Sequence, residues 1–185
     1  MNKDWARSLL ADCIARRSPV EIFLRRSSAA PLCCVPLLMS ERLALVSPYV
    51  DFYPDGYEVV RLRSISAVRA GDREAFHSHI MLHEGILDRL DTPPVSIDSF
   101  PALLTDLLAQ DEPVIVSGER ALLLGRITKV GKKKLRVRYI DGLGRMDAEP
   151  TRMPYDGIDS VAFGNRYLQL VVRYAQDGER TPDAE

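Results

Sequence analysis

The sequence predicts a mainly β protein, a β-rich α+β fold of two tandem five-stranded small barrels, each preceded by a short helix. Three observations predict it: an internal repeat about 93 residues long, a switch from helical to strand periodicity at the same point of both copies, and turn residues that keep the strands short. An offset of 94 matches Leu9 with Leu103, Leu10 with Leu104, Asp12 with Asp106, Ala15 with Ala109, Pro19 with Pro113 and Val20 with Val114. An offset of 92 pairs Leu43 with Leu135, and one of 93 pairs Ile65 with Ile158, Val68 with Val161 and Gly71 with Gly164. Small loop insertions leave such a drift, and a repeat of this length sets the architecture before any local motif is weighed.

Each copy opens with a helix. Trp5, Leu9, Leu10, Cys13 and Ile14 fall on one helical face, as do Phe100, Leu103, Leu104, Leu107 and Leu108. Asp98 or Ser99 is placed to cap the second helix, with Pro101 in its first turn. Both helices stop before Pro19 and Pro113, since proline disfavours helix at the preceding residue. The period then changes to two. Val20, Ile22 and Leu24 alternate in the first copy, Val114 and Val116 in the second, and Leu135, Val137 and Tyr139 alternate with Arg136 and Arg138. Gly131 with Lys132, Lys133 and Lys134 reads as a hairpin tip, while Pro54-Asp-Gly56 and Asp141-Gly-Leu-Gly144 mark further turns. Val59, Val60 and Leu62 lead to Ile65 and Val68, as Met153-Pro-Tyr155 leads to Ile158, Val161 and Phe163. Strands this short usually close into a barrel, because closure removes exposed edges. The expected divisions are residues 1–90, a turn-rich linker at 91–97, residues 98–175, and a polar, disordered tail at 176–185.

The second copy resembles the Sm-like (Hfq/LSm) small barrels. The resemblance lies in Val114-Ile-Val116, Gly125-Arg-Ile127 with Val130, Leu135-Arg-Val137 and the closing Tyr155-Asp-Gly-Ile158-Asp-Ser-Val161, over about residues 99–164. It implies a helix and five strongly bent antiparallel strands, an Sm-like or SH3-like unit, with Gly125 at the bend of the second strand. The first copy matches less: Val35 or a neighbour stands at the Gly125 position, and only Ile65-Ser-Ala-Val68 is similar to the closing segment. Hfq-type proteins bind uridine-rich RNA through a lysine–histidine pair after the tyrosine. Here Asp156 and Gly157 follow Tyr155, so that pair is missing. Small barrels of this kind commonly associate edge to edge, which implies pairing between the two units or self-association.

Composition narrows the function. The 185 residues are 46% hydrophobic and 28% charged with a net charge of −1, so there is no global basic field. No apolar run nears the roughly 18 residues that span a bilayer, and the N-terminus lacks a signal-peptide core, which makes a cytoplasmic location the expectation. Cys13, Cys33 and Cys34 form no Cys-x-x-Cys or disulfide framework; the adjacent pair reads as small hydrophobes in or beside a strand, with redox or metal chemistry as the alternative.

Two clusters carry chemistry. All histidines lie in His77-Ser-His79-Ile-Met-Leu-His83. On a strand, His77, His79 and His83 share a face; on a helix, His79 and His83 have the i, i+4 spacing of metal ligands, with Glu84 beside them. The alternative is a solvated or partly packed cluster, and no H-E-x-x-H is present. The second cluster is basic: Arg126, Lys129, Lys132, Lys133, Lys134, Arg136, Arg138 and Arg145 against the single acid Asp141, a local balance of +7. Such a stripe follows a phosphate backbone, with Tyr139 available for stacking. It also suits a solvated strand face whose lysines guard a hairpin end, or a contact with an acidic protein. Arg25-Arg-Ser-Ser28 lacks the downstream pattern of a cyclic-dinucleotide motif, and no phosphate-cradling loop, nucleophile elbow or cofactor signature occurs. The expected function is therefore a non-enzymatic binding or assembly module with a protein partner or self-association, and RNA as the specific candidate. A metal-binding protein or metalloenzyme using the histidines and a regulatory or immunity-type module are the competing readings.

Overall fold

The first helix, α1 (Lys3–Arg16), leads into strands β1 (Val20–Leu24), β2 (Leu32–Met39), β3 (Leu43–Val50), the short β4 (Tyr53–Pro54), β5 (Tyr57–Arg61) and β6 (Ile65–Arg69). Helix α2 (Asp72–His83) closes the first half. The second half repeats the order: α3 (Phe100–Ala109), β7 (Val114–Gly118), β8 (Ala121–Val130), β9 (Lys134–Tyr139), β10 (Arg145–Met146), β11 (Thr151–Pro154), β12 (Ile158–Phe163) and α4 (Arg166–Tyr174). A final strand, β13 (Gln176–Asp177), pairs in parallel with β10. This computed structural model describes residues 3–25, 30–118 and 121–177.

Ten strands run in the order β11-β9-β8-β7-β12-β5-β3-β2-β1-β6, with β4 beside β3, in one antiparallel sheet of eleven. The sheet is not closed, so the two closed barrels expected from strand length are replaced by two bent halves of a single sheet. The physical reason is the joint between β5 and β12: Ser160 pairs with Val60, Val161 with Val59, Ala162 with Glu58 and Phe163 with Tyr57. Each half thus covers one exposed edge with the other half's strand. Arg61 clamps the joint, donating from Nε to the Ile158 carbonyl at 2.7 Å and from Nη2 to the Tyr155 carbonyl at 2.6 Å.

The register repeats as closely as the sequence. In the first half Val35 opposes Ser47, then a bulge intervenes, then Leu38 opposes Leu45. In the second half Arg126 opposes Arg138, a bulge follows at the same place, and Lys129 opposes Arg136. Gly125, opposite Val114 and Tyr139, is the expected bend: a Cβ there would lie 1.9 Å from the Arg138 carbonyl oxygen. Its counterpart in the first half is Cys34, opposite Val20 and Pro48.

The halves share a core. Leu43, Leu45 and Val59, on the outer side of β3 and β5, are buried with Phe100, Leu103, Leu104 and Leu107 of α3 and with Val114, Val116 and Val137 of the second half. Ser99 Oγ caps α3 through the Ala102 N–H at 3.3 Å, as its sequence position predicts. The segment at 91–97 is packed rather than free: Ile97 is buried in the shared core, Val95 packs against it, and the Ser96 N–H donates to Asp106 at 2.7 Å. Trp5 departs from expectation, remaining 48% exposed while Leu10 and Cys13 are buried. The tail is structured as far as Asp177; its acids Glu179, Asp183 and Glu185 lie outside the described residues. No helix among the described residues is long and apolar enough to cross a membrane.

Candidate nucleic-acid interface

Strand alternation divides the basic cluster between two faces. Leu135 and Val137 are fully buried on the inner side of β9, so Lys134, Arg136 and Arg138 project outward. Tyr139 follows the inner set and packs against the shared core, which removes its ring from the basic face where stacking was expected. On β8, Leu122, Leu124 and Arg126 face outward, and the bulge returns Lys129 to that side opposite Arg136. Lys132 and Lys133 occupy the exposed turn beyond. Arg145 is held away from the row by Asp141, Nε to Oδ2 at 3.0 Å. Backbone N–H groups of Arg145 and Leu143, with that guanidinium, keep the Asp141 carboxyl below the usual carboxylate range.

β11 adds a residue the sequence reading missed. Arg152 opposes Arg136 from the other side, so Lys129, Arg136 and Arg152 form one row across three strands, all exposed. The signal was local: with Met153 buried, alternation sends Arg152 outward, but its neighbour could be known only from the β11–β9 pairing. Arg126 and Arg138 form a second row of like charge. Directly opposed like charges cost about 0.2–1 kcal/mol per pair in a sheet. Arg126 is compensated by Asp111 at 2.8 Å. Arg138 has only Met146 Sδ at 4.0 Å, and its buried Nε has no partner. Among the described residues Lys129, Lys132, Lys133, Lys134, Arg136 and Arg152 make no ion pair. Folding gains nothing from this arrangement.

The histidine segment resolves as a helix, α2, which separates the three rings. His77 turns inward, its Nδ1 hydrogen-bonded to the Tyr49 hydroxyl at 2.9 Å and its ring 5.0 Å from that of Phe52. His79 and His83 lie side by side at the surface, their rings inclined at 60° with centroids 4.3 Å apart. A His77–His79–His83 chelate is therefore not formed, because a helix points residues two apart in different directions. Among the described residues no three His, Cys, Asp or Glu side chains gather to hold a metal.

Beneath α2 lies a polar network. Glu21, 1% exposed, accepts from Arg73 Nη1 at 2.6 Å and is ion-paired with Arg69 Nη2 at 2.5 Å, while the Cys33 thiol points at the same carboxylate at 3.7 Å. Burial, then the Glu21 charge, pushes the Cys33 thiol above its ordinary pKa, which opposes a nucleophilic role. A cleft of about 1210 Å³ opens beside this network, between the halves. Its polar groups are largely engaged with one another: Ser64 with Asp159, Arg25 with the Arg63 carbonyl and Arg63 with the Asp156 carbonyl. Glu58 lines its floor, and burial raises its carboxyl pKa. Those contacts hold β5, β12 and the loops together. Compared with family models, curated proteins and solved structures, the chain matches none.

Proposed function

We propose that this protein is a non-enzymatic binding module, two Sm-like units left open and fused through one strand edge, which holds a nucleic-acid strand against the outer basic face of the second unit. The observation that carries the reading is the row Lys129–Arg136–Arg152, three opposed cations with no ion pair among the described residues, continued by Lys134 and the Lys132–Lys133 turn. Phosphate contacts of this kind supply most sequence-independent affinity and make it salt-dependent.

β5 and β12 pair the two halves edge to edge inside the chain, which supports ligand binding over extended assembly at the equivalent open edge, β11. Tyr155 N–H turns inward to the Lys133 carbonyl at 3.5 Å, so alternation places the nitrogens of Pro154, Arg152 and Pro150 outward. Two of those three are prolines without a hydrogen to donate, and the third residue is charged, both devices that protect an edge from pairing.

Fluorescence anisotropy with a labelled single-stranded RNA across about 50–200 mM salt tests the reading. Affinity falls with salt, and Arg136→Glu with Arg152→Glu weakens binding and reduces the log–log slope by about 1.4, at about 0.7 per lost phosphate contact. Salt-independent binding would overturn the phosphate-contact reading, and tighter binding to polyglutamate than to RNA would assign the face to an acidic protein.

A further inference from the structure

α4 packs on the same outer face as the basic rows. Its buried residues Leu168 and Val172 meet Ile140, with Ile115 and Leu124 beside them. Arg126 lies two residues beyond Leu124 on β8, and Arg138 two residues before Ile140 on β9, so the helix and the cations are contiguous; Met146 joins them by packing in the α4 cluster while accepting from Arg138. Along the flank of α4, Tyr167, Val171 and Tyr174 follow i, i+4, i+7 spacing and line one stripe of a groove of about 400 Å³. Leu122 and Leu143 border it.

Val171 packs against the α4 core cluster, but the large exposed groups around it do not. Tyr167 is 61% exposed, Tyr174 73% and Leu143 78%. Large apolar groups gathered at one exposed site mark a binding surface more often than a folding requirement. The loop at the groove's end carries Gly142 and Gly144, where a Cβ would meet nothing within 4 Å, so a planar group has room to approach. Among the described residues the one acid lining the groove, Asp141, is already occupied by Arg145 and two backbone N–H groups.

We infer that the Tyr167–Val171–Tyr174 stripe is a base-stacking platform, and that the ligand is a single strand whose bases lie on α4 while its phosphates run along Arg138, Arg136 and the lysine turn. This rests on the nucleic-acid reading above and names its substrate class. Every base offers a π-face, so the platform takes any sequence, whereas a duplex keeps its bases stacked internally and cannot use it. From Leu124 to Lys129 the strand covers about 16 Å at about 3.3 Å per residue, a span that suits a site of about four to six nucleotides.

The test compares labelled single-stranded RNA, single-stranded DNA and a duplex of equal length on the full chain. The wild type prefers either single strand over the duplex by tenfold or more. Tyr167→Ala with Tyr174→Ala weakens single-strand binding about tenfold or more, the loss of one to two stacked bases, and leaves duplex binding and the salt slope unchanged. Tyr167→Phe with Tyr174→Phe keeps the platform and binds as wild type; both tyrosines are exposed, so neither pair threatens folding. Equal affinity for duplex and single strand overturns the platform, as does an alanine pair that binds like wild type. In either case, if Arg136→Glu still weakens binding, the basic-face reading survives and only the platform falls. Absence of any nucleic-acid binding sinks both.

Discussion

The outer faces of the two halves carry the same positions to opposite ends. In the first half Glu21, Cys33 and Tyr49 lie beneath α2; the register places Ile115, Leu124 and Ile140 at the matching sites beneath α4. One helix is docked by ion pairs and a Tyr49–His77 hydrogen bond, the other by apolar contact. Lower on the face the contrast reverses. Leu38, Leu45 and Val59 form a row opposed strand by strand, and two of the three are buried in the shared core. The matching row in the second half is Lys129, Arg136 and Arg152, and it is exposed. The difference teaches that one duplicated surface became a joint and the other stayed open, and that charge followed exposure in each case.

The largest way to break that comparison is to write the second half's residue into the first. Val59→Arg places an unpaired charge in the shared core and is expected to cost more than about 4 kcal/mol, enough to unfold the chain or separate the halves. Denaturant melts check it; a variant as stable as wild type would mean the first row is not buried between the halves. A smaller loss follows from Glu21→Ala. It removes the carboxylate that holds Arg69 and Arg73 and leaves a gap beneath α2, at an expected cost of about 2–3 kcal/mol. Hydrogen exchange should show α2 amides losing protection before those of α3; uniform loss would contradict polar docking of α2.

The smallest effect sharpens the contrast most. Arg136→Thr relieves two like-charge oppositions and is expected to raise stability by a few tenths of a kcal/mol at low salt while weakening RNA binding. A thermal melt and an anisotropy titration on one preparation check it. Lower stability with unaltered binding would make the row a solvated face with no ligand.

Much of the plan was legible. The 94-residue offset located both entry helices, position before Pro101 offered Asp98 or Ser99 as a cap, and the Sm-like resemblance implied Gly125 as a bend; each rests on local geometry or on a side chain's absence. The histidine segment was ambiguous because period-two and i, i+4 readings fit the same seven residues; the docking of Met81 and His77 against β2 and β3 chose the helix. α4 escaped the sequence reading although its signal is local: Asn165 caps it and Leu168, Val171, Val172 and Ala175 keep i, i+3, i+4, i+7 spacing, while its role comes only from packing on Ile115, Leu124 and Ile140. The basic stripe was visible as composition. Its division, with Tyr139 turned inward and Arg152 brought in, was not, since neighbours across a sheet are set by strands far apart in sequence.

By itself the sequence determined a duplicated helix-plus-strands unit with a cationic hairpin in its second copy, since periodicity, turn chemistry and charge are properties of contiguous residues. Only the tertiary structure decided that the copies join through β5 and β12, that the sheet stays open, and that Lys129, Arg136 and Arg152 stand in one row. Each of those outcomes depends on which strand edges find a partner, and edge pairing is a contest among distant segments that no local pattern settles.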